Sequence, residues 1–135
     1  MVVLPTSRFV YFRLISFLWL LPVFFSSCAK PFVQEGKASY YSNKFQGRPM
    51  ANGQPYRKGK LTAAHKTLPF GTKIKVTNQQ NGKTVKVKVT DRGPHVKGRI
   101  VDLSLKAARR VDLVKDGVAP VQVKVIRMGN GATAR

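Results

Sequence analysis

The sequence is poor in cysteine, histidine and acidic residues. Its 135 residues include one cysteine, two histidines and five Asp and Glu residues. A single cysteine excludes an intramolecular disulfide and a cysteine-rich zinc site, and we expect neither a metal nor another cofactor. No glycine-rich phosphate loop is present, which disfavours a nucleotide-dependent enzyme. Any carboxylate chemistry must therefore use one of five side chains, which are Glu35, Asp91, Asp102, Asp112 and Asp116.

The first 27 residues have the pattern of an export signal. Arg8 and Arg13 precede an uncharged, mostly apolar run at 14–25, which is too short to span a bilayer and is typical of a signal peptide. The residues from Phe25 to Cys28 resemble a bacterial lipobox, although leucine is usual where Phe25 stands. We therefore expect a lipidated Cys28 and a periplasm-facing anchor, with Ala29 favouring the outer membrane. The alternative is an ordinary secretory signal that leaves Cys28 as a free thiol.

The charge is strongly one-sided, because 25 Lys and Arg residues give a formal charge of +20. Alternating runs at 73–77 and 83–90 would present Lys73, Lys75, Lys86 and Lys88 outward. Each of these lysines alone fits a solvated strand face, but together they predict attraction to anionic envelope polymers or lipid headgroups. An exported chain rarely meets nucleic acid, so we expect no nucleic-acid partner. The sequence leaves the oligomeric state open.

The hydrophobic pattern predicts a mainly-β domain at 36–127. A tether at 28–35 precedes this domain, and a flexible tail at 128–135 follows it. Asn81 and Gly82 form a hairpin signal between the two lysine-bearing runs, and one short helix at 105–113 is expected after an N-cap at Ser104. Six short strands and one helix suggest a small closed barrel, since closure removes exposed strand edges. The expected strands are 37–41, 61–64, 73–77, 83–90, 99–103 and 121–125.

Five segments together resemble the rare lipoprotein A (RlpA) family. They are GKASYY at 36–41, ANG at 51–53, LTAAHKTLPFGT at 61–72, DRGP at 91–94 and GRIVDLS at 98–104. The resemblance implies an all-β, six-stranded double-psi β-barrel like that of expansins and barwin-like proteins. It also implies a lipid-anchored endolytic peptidoglycan lytic transglycosylase that cleaves MurNAc–GlcNAc bonds of stripped glycan strands and leaves 1,6-anhydro ends.

Such a reaction needs one acid that donates a proton to the leaving oxygen and then accepts one from the muramic 6-hydroxyl, unlike the two-carboxylate hydrolases. Asp102 is the first candidate, because it follows two apolar residues and would end a half-buried strand facing a groove. The alternative role for Asp102 is to cap the helix near Ser104.

Two further residues could support this acid. Asp91 could stabilise charge, with Arg92 paired to it, or could bond the amides of its own turn. His65 is implied by the resemblance to belong to the catalytic set, although a lone histidine is more often structural. The expected substrate-binding residues are Tyr41, Asn52, Lys66, Arg92 and Arg99.

The sequence departs from the family pattern in one segment. Active members typically carry Glu and Asp where this chain has Gln54 and Arg57, and neither residue can donate and recover a proton at neutral pH. This departure supports an alternative hypothesis, that the protein is a non-catalytic peptidoglycan-binding or wall-loosening module. A third hypothesis is that it is a cationic structural protein of the outer membrane.

Overall fold

Six strands form the body of the protein, which is described here by a computed structural model covering residues 29–132. The predicted signal peptide and Cys28 lie outside these residues. A single turn of 3-10 helix at Asn43–Phe45 follows the first strand, and two short helices, α1 at Leu105–Arg110 and α2 at Leu113–Asp116, precede the last. The strands are β1 Val33–Tyr40, β2 Thr62–His65, β3 Lys73–Asn78, β4 Thr84–Asp91, β5 Arg99–Leu103 and β6 Ala119–Arg127.

The strands close into a barrel in the order β1-β5-β2-β4-β3-β6. The pairs β1–β5 and β2–β4 are parallel, and the other four neighbouring pairs are antiparallel. Closure pairs the strand edges that a short open sheet would expose. The expectation of an all-β, six-stranded double-psi β-barrel is confirmed.

Alternating apolar residues fill the interior of the barrel. Ile74 and Val76 on β3 are fully buried, and they pair with Val87 and Val85 on β4. Because side chains alternate between the two faces of a strand, the lysines between these residues lie outside. The closed sheet and its buried core both lie within residues 33–127, so the fragment 29–135 contains all that the barrel needs to fold.

The barrel begins before the predicted start of the domain at 36, and the segment after its predicted end at 127 packs against it. β1 begins at Val33, three residues before the expected start, because 33–35 pair with β6. The segment predicted as a flexible tail packs against the loop before β3: Gly129 N donates to Thr72 Oγ1 at 3.0 Å, and Gly131 N donates to Phe70 O at 3.1 Å. A Cβ on Gly129 would stand 2.1 Å from Phe70 O, so only glycine allows this close approach.

The helical segment begins as expected but is shorter than predicted. Ser104 caps α1, since its Oγ accepts from Ala107 N at 3.3 Å, and Asp102 takes no part in the cap. The prediction of one helix continuing to Leu113 was wrong, because Asp112 adopts a left-handed conformation with φ of 53° and ends the first helix. No helix within residues 29–132 is long and apolar enough to cross a membrane.

The predicted hairpin between β3 and β4 is held by Asn78. Gly82, at φ +73°, donates its backbone N–H to Asn78 O at 2.8 Å. The buried Asn78 side chain donates to Val111 O and accepts from Gln80 N, both at 2.9 Å. This side chain therefore ties the hairpin to the end of α1.

We expect Asn78→Ala to lower the free energy of unfolding by about 1–3 kcal/mol, because it removes two hydrogen bonds of a buried amide. Urea denaturation of the 29–135 fragment measures the change. Gln79→Ala, at the exposed neighbouring position, is the control and should stay within about 0.5 kcal/mol of wild type. Equal stability of the two variants would contradict the assigned role of Asn78.

Candidate active site

Two of the acidic residues meet on the outer surface of the barrel. β2 lies between β5 and β4, and its residue Ala64 pairs with Asp102 on one side and with Asp91 on the other. Asp102 in turn pairs with Ser39 on β1. These four residues form one row across four strands, so the two aspartates lie two strand spacings apart, about 10 Å between Cα atoms.

Small residues separate the two carboxylates. Ala64 is 1% exposed and lies beneath the turn that follows Asp91, where a Cβ on Gly93 would stand 3.9 Å from the Ala64 methyl. Gly93 has a φ of +129°, which L side chains rarely adopt. The surface between the two acids is therefore built from one methyl group and one glycine.

A groove of about 490 Å³ contains both carboxylates. Tyr41, Arg92 and Arg99 line it as the resemblance implied, whereas Ser39, Lys44, Phe45 and His95 also line it but were not predicted. The sequence signal that could have identified Ser39 was its position in the GKASYY segment, one residue beyond the buried Ala38. A slightly larger cavity of about 510 Å³, beside α1, has no carboxylate among its lining residues, so acid–base chemistry of the expected kind requires the groove.

Asp102 is held by two donors in this groove. Ser39 Oγ donates to Asp102 Oδ1 at 2.9 Å, and Arg99 Nη2 pairs with Asp102 Oδ2 at 3.1 Å. The side chain of Asp102 remains 16% exposed, so a ligand in the groove can reach it. Arg99 Nε is buried and has no acceptor among the described residues.

Asp91 has three donors and anchors the neighbouring loop. Tyr41 Oη donates to its Oδ2 at 2.6 Å, and the backbone N–H groups of Ala51 and Arg92 donate to its Oδ1, each at 2.8 Å. Burial, followed by the bond to Asp91, raises the pKa of the Tyr41 phenol above its usual range, so Tyr41 remains a donor at neutral pH. Asp91 thus accepts one amide of its own turn, from Arg92, in line with one of its two predicted roles, and a second amide from the separate turn at Ala51.

The predicted ion pair between Arg92 and Asp91 was wrong. The Arg92 guanidinium donates to His65 O at 3.1 Å and to Leu68 O at 2.8 Å, and it stacks on the Phe70 ring with 3.9 Å to the centroid. Arg92 therefore fastens the loop after β2 while one side of it lines the groove.

His65 does not line the groove. Its Nδ1 accepts from the backbone N–H groups of Thr67 and Leu68, at 3.3 and 3.2 Å, so the proton lies on Nε2, which donates to Gln34 Oε1 at 3.0 Å. Burial lowers the pKa of His65, and the positive charges of Arg92 and Lys66 lower it further. A neutral, fully bonded imidazole at this place positions the loop.

Two other predicted binding residues also lie outside the groove lining. Asn52 is buried and bonds its own turn, where its Oδ1 accepts from Gln54 N at 3.0 Å. Lys66 is exposed beside His65. Gln54 and Arg57 line a separate cavity of about 480 Å³ that shares no lining residue with the groove.

No group of three potential metal ligands occurs within residues 29–132. The groove offers carboxylate, hydroxyl, phenol and guanidinium groups. These groups suit the binding of a polar, uncharged or anionic chain and proton transfer to it.

The closed barrel with two parallel strand pairs and the carboxylates on its outer surface define a double-psi β-barrel protein with an acidic groove. Residues 33–123 match the family described as lytic transglycolase. The chain belongs to this lytic transglycolase family and, within it, to the RlpA proteins.

Curated relatives support this assignment. The chain is 49% identical over 96 residues to the endolytic peptidoglycan transglycosylase RlpA of Campylobacter jejuni and 50% identical over 97 residues to that of Vibrio cholerae. These matches cover 71% and 72% of this chain. They span only 35% and 37% of the relatives' own length.

Solved structures show the same fold. A Streptomyces papain inhibitor superposes with a TM-score of 0.58 at 25% identity, covering 71% of this chain and 96% of the inhibitor. A Clavibacter michiganensis expansin superposes with a TM-score of 0.56 at 27% identity, covering 74% of this chain and 53% of the expansin. The fold thus accompanies more than one activity, so the chemistry must be argued from the groove.

We expect stability to fall in mild acid because of His65. Its pKa is lowered from 6.5 in the folded state, so the unfolded chain binds the proton more readily. The stability contribution of the neutral ring is therefore complete above pH 6.5 and is lost as the pH falls through the lowered pKa. Urea denaturation of the 29–135 fragment across this range measures the loss.

His65→Asn, whose Oδ1 can replace Nδ1 as acceptor, should remove this pH-dependent step. His95→Asn, at the exposed histidine, should keep it. Persistence of the full step in His65→Asn would show that another group titrates.

Proposed function

We propose that this chain is an endolytic peptidoglycan lytic transglycosylase that cleaves the MurNAc–GlcNAc bond and leaves a 1,6-anhydro end. The observation that carries the proposal is the row placing Asp102 and Asp91 in one groove on the barrel surface. Membership of the RlpA family supports the same activity, since the relatives that share this barrel are named for it.

The groove has the composition expected of a glycan site. Tyr41 packs edge-on against Phe45, with 5.6 Å between ring centroids, and against Tyr56 at 4.8 Å. Tyr41 and Phe45 line the groove and can pack against sugar rings, while the hydroxyl and guanidinium groups of the same lining can bind sugar oxygens. The groove therefore offers both aromatic rings and polar side chains to a glycan.

Asp102 is the acid and base of the proposed reaction. Its carboxyl group gives a proton to the glycosidic oxygen as the bond to C1 of MurNAc breaks, and the bonding electron pair leaves with that oxygen. The carboxylate then removes the proton of the muramic 6-hydroxyl, whose oxygen closes on C1 and forms the anhydro ring. One group does both steps and no water is consumed.

Arg99 must release Asp102 before Asp102 can carry that proton. MurNAc in a strand stripped of its peptides has a free lactyl carboxylate, which can replace Asp102 as the partner of Arg99. The Arg99 side chain is 25% exposed, so its guanidinium can bond to this carboxylate from the groove. Binding of the stripped strand would thus prepare the acid, in agreement with the substrate preference that the resemblance implied.

The two positions where active family members carry acids bear on whether this chain is an enzyme or a binding module. Gln54 and Arg57 line their own cavity and leave the environments of Asp102 and Asp91 complete. This separation favours an enzyme over the alternative of a pure binding module. Release of anhydro-ended fragments from purified stripped glycan strands distinguishes the two.

We expect Asp102→Asn to lower the rate of anhydro-end formation at least about 100-fold, since asparagine neither gives nor takes the proton. Asp91→Asn should lower it about 10-fold, because Asn Oδ1 can still accept from Ala51 N and Arg92 N, while its amide group replaces the charged oxygen that accepts from Tyr41. Mass spectrometry of the products from the 29–135 fragment measures both rates.

Asp116→Asn, at the exposed carboxylate that ends α2, is the matched control and should keep the wild-type rate. Circular dichroism confirms that each variant folds. Full activity of folded Asp102→Asn would refute its assignment. Binding of glycan by the wild type without any cleavage would favour the wall-binding module.

We infer that the protein is exported and anchored through a lipid at Cys28, facing the periplasm on the outer membrane. The basic residues and apolar run before Cys28 support the export, and its lipobox-like context supports the acylation. Each buried acyl CH₂ contributes about 0.8 kcal/mol, so several chains hold a protein stably.

Cys28→Ser should move the full-length protein from the membrane to the soluble fraction, because the acyl attachment is lost. Cell fractionation with a high-salt wash measures the change, and the wash removes protein held by charge alone. Ser42→Ala, at an exposed serine, is a control that should remain in the membrane. Retention of Cys28→Ser after the wash would overturn the anchor.

A further inference from the structure

The outer surface of β4, β3 and β6 carries two rows of basic side chains. Lys73 has a basic Cα partner on each neighbouring strand, and so does Lys75. Strand neighbours lie about 4.8 Å apart, so each row sets three positive charges side by side. This cationic face consists of Lys73, Lys75, Lys86, Lys88, Lys124 and Arg127.

The charges on the cationic face have no internal counter-ions. The ion pairs among the described residues join Lys83 to Asp112 and Arg99 to Asp102, and Glu35 accepts the side-chain amide of a glutamine in the neighbouring row. Like charges directly opposite on adjacent strands destabilise a sheet. A face that keeps this arrangement is suited to an external partner with negative charges at similar spacing.

Exposed aliphatic side chains accompany these charges. Ile126 and Met128 are 49% and 59% exposed, and Val33, the Cα partner of Lys124, is 46% exposed. Ile126 lies with Lys73 and other lysines around a shallow depression of about 400 Å³. A soluble polyanion would need the charges alone, whereas a lipid surface rewards both charges and aliphatic groups.

The cationic face and the groove lie on opposite sides of the barrel. In the cyclic strand order, β3 is three strands from β5 in either direction. β3 lies at the centre of the cationic face, and β5 carries Asp102 in the groove. A partner surface that binds the cationic face therefore leaves the groove free.

We propose that the cationic face docks on a membrane surface of anionic phospholipids, with Ile126, Met128 and Val33 entering the headgroup region. Docking in this orientation directs the groove away from the bilayer. This surface is separate from the groove and does not depend on cleavage, so it can be tested without any glycan.

Sedimentation of the 29–135 fragment with vesicles of equal parts phosphatidylglycerol and phosphatidylethanolamine tests the charges. The triple variant Lys73→Gln/Lys75→Gln/Lys86→Gln should lower the partition coefficient roughly 100-fold, at about five-fold for each basic residue at the surface. The control Lys58→Gln/Lys106→Gln/Lys115→Gln removes the same net charge from exposed lysines elsewhere and should change binding less than about five-fold. Equal losses in the two triple variants, or no binding by wild type, would overturn the proposal.

Fluorescence tests the aliphatic contact. The single tryptophan of the chain, Trp19, precedes the fragment, so an introduced tryptophan is the sole reporter. The emission of Ile126→Trp should shift to shorter wavelength with the anionic vesicles, while Val118→Trp, at an exposed valine before β6, should not shift. Absence of a shift at 126 together with tight binding to soluble polyphosphate would replace the membrane by a polyanion as the partner.

Discussion

The site depends on the register of one short strand. β2 has a parallel neighbour on one side and an antiparallel neighbour on the other, and both pairings place Ala64 in the row of the two aspartates. In a closed sheet no strand can shift against one neighbour without shifting against the other. The groove therefore inherits its geometry from the barrel, and the contacts of Ser39, Arg99 and Tyr41 refine the positions that the register sets.

The local features of the fold could be predicted from sequence because their causes are local. Alternation identified β3 and β4, the Asn–Gly pair identified their turn, and Ser104 identified the start of α1. The break at Asp112 could not be read, since a left-handed non-glycine residue has no signal of its own. The extra pairing of 33–35 depends on β6, which lies over eighty residues away, so a local pattern could not reveal it.

The site was predicted in part for a similar reason. The sequence motifs identified the two aspartates, but the backbone determines in which direction the neighbouring side chains point. Successive residues of an extended chain point to opposite sides, so His65 turns away from the row that contains Ala64. Arg92 follows the end of β4, and its guanidinium bonds to His65 O and Leu68 O instead of Asp91. A motif places residues close in sequence, whereas the pleat decides which of them share a face.

The small residues Ala64 and Gly93 also bear on how such a protein can change over evolutionary time. Ala64 is buried beside the turn that follows Asp91, and even an added Cβ on Gly93 would stand only 3.9 Å from its methyl. A bulkier side chain at position 64 would lift that turn and its carboxylate while leaving every polar group of the groove in place. A lineage could in this way lose cleavage and retain saccharide binding through one substitution at an apolar position that carries neither an acid nor a base.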